Sequence, residues 1–534
     1  MRHIALLDST LRDGMQGEGI TFSLSDKVKI VQTLDALGLP YIEAGNPASN
    51  PKDLELFHLL KNTPPKHAKI VAFGSTRRKF TRPEEDEALQ ALLQAETPVV
   101  TLFGKTSPSQ VSGILQTTPQ ENLKMVEESI SYLVQHGRQV FFDAEHFFDG
   151  YQEDRDYALL VLKKAAAAGA AGLCLCDTNG ATYPEDIFLV TQAVRAQFPS
   201  LSLGIHCHND LGLAVAGSMR AVDAGADLVQ GTLLGFGERC GNANLCTVLS
   251  NLQLKRGMYC IPQENLASLT PTARKIADIA NISLPGSLPY VGSSAFAHKG
   301  GMHIDAVTKY PSSFEHIPPA IVGNKRKFLV SEMAGKSTLL QKLQHYDPTL
   351  KKDSPKTAEI METLKSLEYR GYQFEAAEES FELVIRRALG LGRQFFQLEY
   401  FKIIGEQPLF SRLYPSSAMI KVRVGGEAEI TAAEGDGPVH ALDLALRKAL
   451  IRFYPSLGDV RLTDFKVRVL ESDATTAATV RVLIESSDGH HTWTTVGVST
   501  DIIEASFLAL TDSIEYKLTM DYPASSPSSK DPEA

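Results

Sequence analysis

Over roughly its first 250 residues the chain repeats one pattern eight times: a short β-rich apolar run, then an amphipathic helical segment. The runs lie at 4–7, 41–43, 69–73, 99–103, 139–143, 172–176, 202–207 and 226–231. Helical patterns separate them at 25–37, 121–136, 154–168, 184–198 and 211–224. In the first of these Val28, Val31, Leu34 and Leu37 form one stripe after a Ser N-cap. Eight strand–helix units in about 250 residues fit a (β/α)8 TIM barrel in number and in length. An open doubly wound α/β sheet is the structural alternative. Eight regular units without a Gly-rich nucleotide loop make it the weaker reading.

At 534 residues the chain exceeds what one hydrophobic core organises, so further domains are expected. From about residue 260 the alternation stops, which sets the barrel at 1–260. Residues 261–394 mix helical pieces with a Gly- and Pro-rich stretch at 284–301 and read as a linker with small helical subdomains. A third pattern fills 395–521. Strands at 396–404, 418–424 and 428–432 precede a helix at 438–453, and the order recurs as strands at 460–470, 476–484 and 492–498 before a helix at 502–516. Two βββα halves around a shared interface are predicted. The tail at 522–534, rich in Ser, Pro and charge, cannot bury a core and is expected to be disordered. Gly335-Lys336-Ser337 is no phosphate loop, because Val330 stands where that motif needs Gly.

The formal net charge of -10 argues against a nucleic-acid surface, and no apolar stretch approaches the length needed to cross a bilayer. Residues 1–8 read as a core strand rather than a signal peptide. Cys174, Cys176, Cys207, Cys240, Cys246 and Cys260 show no framework spacing, so reduced thiols and a cytoplasmic location are expected.

Catalytic groups on such a barrel gather at the C-terminal strand ends. Four polar clusters fall there: Asp8-Ser9-Thr10-Leu11-Arg12-Asp13-Gly14, Asp143-Ala144-Glu145-His146, His206-Cys207-His208-Asn209-Asp210, and Gly235-Phe236-Gly237-Glu238-Arg239-Cys240-Gly241-Asn242. On a strand, residues two apart share a face, so His206 and His208 can aim at one ion while Cys207 turns away. An isolated His-x-His is more often a pair of polar residues at a strand end. At a barrel mouth with Asp13 and Asn242 at hand, it reads as a metal site. Imidazole, carboxylate and amide oxygen suit Mn²⁺, Mg²⁺ or Zn²⁺ without choosing among them. Arg12 is either a structural ion-pair partner of Asp13 or a guanidinium placed for a carboxylate-bearing ligand that develops oxyanion character. Cys174 and Cys176 share a face too, but no second pair sits at zinc-site spacing, and core packing is the better reading.

Together the clusters resemble the 2-isopropylmalate synthase, homocitrate synthase and citramalate synthase family. The segment at 8–14 is similar to its opening signature, Leu203-Gly204-Ile205-His206-Cys207-His208-Asn209-Asp210 to its metal motif, and 235–243 to its third signature. Gly300-Gly301-Met302-His303-Ile304-Asp305-Ala306 resembles its catalytic-histidine segment. Such enzymes often end in an amino-acid-sensing α+β domain of duplicated βββα units. Gly17-Glu18-Gly19-Ile20, Asn50-Pro51-Lys52-Asp53, Phe103-Gly104-Lys105-Thr106 and the segment 143–150 resemble the longer citramalate synthase branch.

The resemblance implies condensation of acetyl-CoA with a 2-keto acid, pyruvate ranking first, followed by thioester hydrolysis. It implies Asp13, His206, His208 and Asn242 as metal ligands, Arg12 as the group that steadies the alkoxide, and Thr178 in Cys176-Asp177-Thr178-Asn179-Gly180 as the holder of the keto-acid carboxylate. His303 with Glu145 is the candidate base, since a neutral imidazole oriented by a carboxylate works near neutral pH. The post-barrel histidine reaches the neighbouring subunit's site in the family, which implies a homodimer. Without the resemblance, His303 would read as an exposed loop residue. One departure stands out: where the family has a tyrosine after this histidine, the chain has Ser313-Phe314-Glu315, with Tyr310 as the nearby hydroxyl. Gly435-Asp436-Gly437 and Gly497 sit where exposed backbone groups could grip an amino acid, with isoleucine the expected effector, although ordinary turns explain each as well. The competing readings are 2-isopropylmalate synthesis from 2-ketoisovalerate, an acyl-CoA lyase, and a non-catalytic amino-acid-binding regulator.

Overall fold

The computed structural model describes residues 2–328, 343–344, 346–351, 354–405, 416–470 and 478–522. The Gly335-Lys336-Ser337 segment, and all of the C-terminal tail after Tyr522, lie outside the described residues. Strands β1 (Ala5–Asp8), β2 (Tyr41–Gly45), β3 (Lys69–Ser75), β4 (Val99–Lys105), β5 (Gln139–Glu145), β6 (Gly172–Asp177), β7 (Ser202–Cys207) and β8 (Leu228–Gly231) pair in parallel around a closed barrel. Closure comes from β1 lying against β8, with Leu7 opposite Gln230 and Asp8 opposite Gly231.

From β1 to β6 each strand runs one or two residues past the apolar run that marks it in the sequence. The ladder joins backbone groups and is indifferent to side chains. Pairing therefore continues as the interior turns polar, and the extra residues, Asp8, Lys105 and Glu145 among them, belong to the barrel mouth. At the opposite end Leu7, Val71, Val99, Phe141 and Leu228 form an apolar layer, with Tyr41 edge-on to Phe141 at 5.3 Å. The interior is thus a packed core with one polar end.

Helix starts follow local capping chemistry. The first long helix, Leu24–Leu37, is set by a capping box between Ser23 and Asp26, and it buries Ile30, Val31, Leu34 and Leu37. At Pro119–Gln135 and Arg155–Ala167 the cap is a single bond: Thr118 accepts the Glu121 N–H and Asp154 the Tyr157 N–H. The helix expected from residue 211 starts later, as Ala214–Asp223. Residues 209–213 instead form a turn, with Gly212 at φ +71° and the Asn209 side chain accepting the Ala214 N–H.

The chain divides into two compact units: Met1–Phe296 with Pro319–Lys325, and Ala297–Pro318 with the described residues from Arg326 onward. In the second unit β9 (Ala297–His298) pairs with β10 (Lys327–Phe328). Two βββα repeats follow: β11 (Gln397–Gly405), β12 (Ser416–Val424), β13 (Glu427–Gly435) and helix Pro438–Ile451, then β14 (Arg461–Val469), β15 (Val480–Ser487), β16 (Thr492–Ser499) and helix Ile502–Asp521. Each sheet is antiparallel in chain order. Ile420 and Val422 of one repeat and Val482 and Ile484 of the other enter one core with Leu442, Leu446, Leu510 and Trp493. That shared core is the interface predicted between the halves. No helix among the described residues is long and apolar enough to cross a membrane.

Candidate active site

At the polar end of the barrel, β1, β7 and the segment after β8 bring four residues together. Asp13 Oδ2 lies 3.5 Å from His206 Nε2 and 4.0 Å from His208 Nε2. Asn242 Nδ2 donates to Asp13 Oδ1 at 3.0 Å. One ligand atom from each of Asp13, His206 and His208 lies within 4.8 Å of the others. Asn242 Oδ1 is buried there without a hydrogen-bond partner, a condition that costs about 1–3 kcal/mol unless something answers it. Cys207 faces away, its thiol toward Gly217 and Ser218 on the outer helix. Asn242 reaches its place because Gly237 has no side chain: a Cβ there would lie 2.2 Å from Asn242 Nδ2, and its φ of +152° disfavours any other residue.

The protonation states suit a cation. Burial drives the His206 imidazole down to about 3, so it is neutral. His208 is lowered as well, again mainly by burial. Burial alone would raise Asp13, but Arg12 and the two imidazoles outweigh it and hold the carboxyl at about 2. An ionised carboxylate, two neutral imidazoles and an unanswered amide oxygen fit a divalent ion. One consequence concerns pH. Two imidazoles with ordinary values near 6.5 would lose roughly tenfold in metal affinity between pH 7.5 and 6.0 through proton competition. Because both are depressed, Mn²⁺ binding measured calorimetrically is expected to change no more than about twofold across that interval. A tenfold loss would show that the imidazoles titrate normally.

Arg12 ties this cluster to β2. Its Nε donates to Glu43 Oε2 at 2.7 Å, its Nη1 donates to Asp13 Oδ2 at 2.8 Å, and its guanidinium lies 3.8 Å over the Phe73 ring. Burial opposes the charge on Arg12, but Glu43 and Asp13 prevail and keep it protonated. Glu43 is fully buried and also accepts from Ser9 Oγ at 2.6 Å. Beneath them Asp143 accepts from Gln230 Nε2 at 2.8 Å, and burial with the nearby Glu43 pushes its carboxyl up to about 8. Asp143, Cys174 and Cys176 form a second close group. The Cys176 thiol donates weakly to Cys174 O, and burial raises Cys174 well above its ordinary value, so the pair packs as neutral thiols.

Glu145 ends β5 and pairs with Lys105 at 2.6 Å. Thr178, just after β6, accepts the His146 N–H on its Oγ1 at 2.9 Å, and its carbonyl accepts from Arg239 Nη2 at 2.8 Å. His303 lies in the second unit, exposed on helix Gly301–Lys309 rather than in a loop. Phe314 stacks on its ring at 4.2 Å, while Tyr310 is 68% exposed. In the C-terminal repeats Asp436 is exposed beside His440. Gly435 and Gly497 have packing reasons, since a Cβ on either would strike the backbone of the following helix. Gly497 is buried, contrary to the expectation of exposed backbone at that position.

Glu43, Lys105, Gln230 and Asp149 escaped the sequence reading. Lys105 and Asp149 stood only within segments that resemble the family, and Glu43 and Gln230 only as polar residues in apolar runs, signals that do not say which partner each will meet.

The family model described as HMGL-like matches residues 3–279, homocitrate synthase post-HMGL domain-like matches 290–371, and LeuA allosteric (dimerisation) domain matches 375–518. The (R)-citramalate synthase of Aquifex aeolicus is 49% identical over 97% of this chain and 98% of its own. That of Synechocystis sp. is 50% identical over 96% of both chains. The 2-isopropylmalate synthase of Pyrococcus furiosus is more distant, at 30% over 95% of this chain and 97% of its own. A barrel whose mouth joins Asp13, His206, His208 and Asn242, followed by a LeuA-type domain and matched end to end, belongs to the family of the (R)-citramalate synthases.

Proposed function

We propose that the chain joins acetyl-CoA to pyruvate in a Claisen-type condensation and then hydrolyses the thioester, giving (R)-citramalate and CoA. It is then an acyltransferase whose acetyl group becomes an alkyl group on transfer, in the route to isoleucine. The observation that carries the chemistry is the mouth cluster: an ionised carboxylate, two neutral imidazoles and an unanswered amide oxygen beside a buried guanidinium. End-to-end similarity to (R)-citramalate synthases, well above that to 2-isopropylmalate synthases, supports pyruvate over 2-ketoisovalerate.

Asp13, His206, His208 and Asn242 would hold Mn²⁺ or Mg²⁺, with Zn²⁺ compatible, and the bound ion would supply Lewis acidity toward the keto oxygen. Arg12, fixed by Glu43 and Asp13, would steady negative charge as it develops on that oxygen. The Thr178 hydroxyl already accepts the His146 N–H, so its own hydrogen is free to donate to the keto-acid carboxylate. The resemblance implies that His303, reaching the site from a second copy of the chain, takes the proton from the acetyl methyl group together with Glu145. Phe314 stacked on His303 would shape its surroundings without a hydroxyl of its own.

A homodimer is part of this reading. Tyr400, Ile404, Ile430, Phe465, Val467 and Val469 are exposed on the strands of the C-terminal repeats, and they supply apolar surface for a second copy. The 395–521 region would sense isoleucine, and the free state of all six cysteines agrees with a cytoplasmic location.

The test is CoA release from acetyl-CoA with Mn²⁺, with pyruvate, 2-ketobutyrate, 2-ketoisovalerate and 2-oxoglutarate supplied separately, before and after chelation. A chelator-sensitive preference for pyruvate is expected. Preference for 2-ketoisovalerate would move the chain to the leucine route, and no turnover with any keto acid would end the synthase reading.

A further inference from the structure

His146 adjoins two residues of the proposed mechanism, Glu145 and Thr178. It follows Glu145 directly in the chain, and its backbone N–H is bonded to Thr178 Oγ1. Its backbone is left-handed, with φ +55° and ψ +36°, at the junction of β5 and helix Phe147–Glu153. Glycine adopts that conformation without steric cost, whereas a histidine there bears some strain. The imidazole is only 13% exposed, and its Nδ1 lies 3.0 Å from Asp149 Oδ2. Asp149 Oδ2 also accepts from Asn179 Nδ2 at 2.9 Å, which holds the carboxylate in place. A carboxylate can only accept, so the proton of the neutral ring sits on Nδ1 and the lone pair is on Nε2. That Nε2 has no hydrogen-bond partner among the described residues. An imidazole oriented by a carboxylate, with its other nitrogen free, is the arrangement of a general base.

We propose that His146 is a further catalytic residue of the barrel mouth, the general base and then the general acid that hydrolyses the thioester left by condensation. The proposal rests on the condensation reading above. Condensation leaves a thioester carbonyl two bonds from the new hydroxyl-bearing carbon. A second base at the thioester would spare the group that deprotonates the acetyl methyl from serving both steps. His146 Nε2 takes a proton from water as the water oxygen adds to the thioester carbon and the C=O electron pair moves onto oxygen. Collapse re-forms C=O and breaks the C–S bond, and the sulfur leaves with the electron pair. The imidazolium returns its proton to the CoA thiolate. One water is consumed, one C–O bond replaces one C–S bond, and nothing is oxidised or reduced. Asp149 is the positioning residue that fixes the ring and steadies its cationic form.

The test uses the full-length, Mn²⁺-loaded enzyme. His146→Asn tolerates the left-handed backbone, and His146→Gly relieves it, so at least one of the two is expected to fold as the wild type does. Acid quench and mass spectrometry would follow citramalyl-CoA and free CoA separately. The expected result is CoA release slowed by about 100-fold or more, the scale of lost general acid–base catalysis, with citramalyl-CoA accumulating toward one per site. Asp149→Asn should show the same intermediate with a smaller loss. Free CoA released within about threefold of wild type by both His146 variants would overturn the proposal. So would failure to form citramalyl-CoA with a raised KM for pyruvate, since His146 would then serve only to place Thr178. Should both variants misfold, Asp149→Asn carries the test: accumulation of citramalyl-CoA supports the proposal, and CoA release within about threefold of wild type with no accumulation overturns it. If the wild type condenses no keto acid at all, the condensation reading fails first, and the two failures stay distinct.

Discussion

Asp13→Asn is expected to remove Mn²⁺ binding from the calorimetric range and to lower turnover on the order of 10³-fold, the scale on which electrophilic stabilisation is lost. Asp13 supplies the anionic oxygen of the mouth cluster, and the two imidazoles that share the site are held neutral. A neutral amide of the same shape offers oxygen without charge. The substitution should leave the barrel folded, because Arg12 keeps its second partner, Glu43, at 2.7 Å. An unchanged thermal transition with lost metal binding is the predicted combination. Mn²⁺ bound at wild-type affinity, or turnover within about tenfold, would mean that the cluster is a structural polar network.

Arg12→Lys should show the complementary pattern: kcat reduced by about 10²–10³-fold while Mn²⁺ affinity changes only a few-fold. The guanidinium addresses Glu43 through Nε and Asp13 through Nη1 while lying flat on Phe73. An ammonium is a point charge that cannot meet both carboxylates and a developing oxyanion along fixed directions. Lysine is the informative substitution because a neutral residue would leave Glu43 buried and unpaired, at a cost of about 3–5 kcal/mol, and confound stability with chemistry. Steady-state kinetics with pyruvate, read beside a melting curve, separates the two effects. An unaltered kcat would reduce Arg12 to an ion-pair partner.

Within the site, some residues were readable in advance and others were not. His206 and His208 were, because the two-residue period of a strand is local and sends both rings one way. Cys207, confined to the outer face by the same rule, packs toward Gly217. Glu43 was not, since its meaning depends on Arg12, thirty-one residues earlier in the chain. That contact follows from the register of neighbouring strands, in which Leu7 and Asp8 pair with Tyr41 and Ile42. His146 appeared only as the last letter of a polar cluster. Its left-handed backbone and its bond to Thr178 emerge when β5 ends in a sharp turn beside β6. Gly497 was read as a potential ligand-gripping backbone, whereas helix packing against β16 gives it its reason.

The barrel, the duplicated C-terminal repeats and the membership of a metal-site motif were determined by the sequence alone, because hydrophobic period, capping residues and i, i+2 spacing act over a few residues. Only the tertiary structure decided which buried charges face one another, which carboxyls are held protonated and which histidine pairs one nitrogen with a carboxylate and leaves the other free. Those properties depend on distance and desolvation between strands far apart in the chain. Closing the eight strands into a ring sets both at once: it brings Asp13, Glu43, Asp143, His206 and Asn242 to one end and takes water away from them.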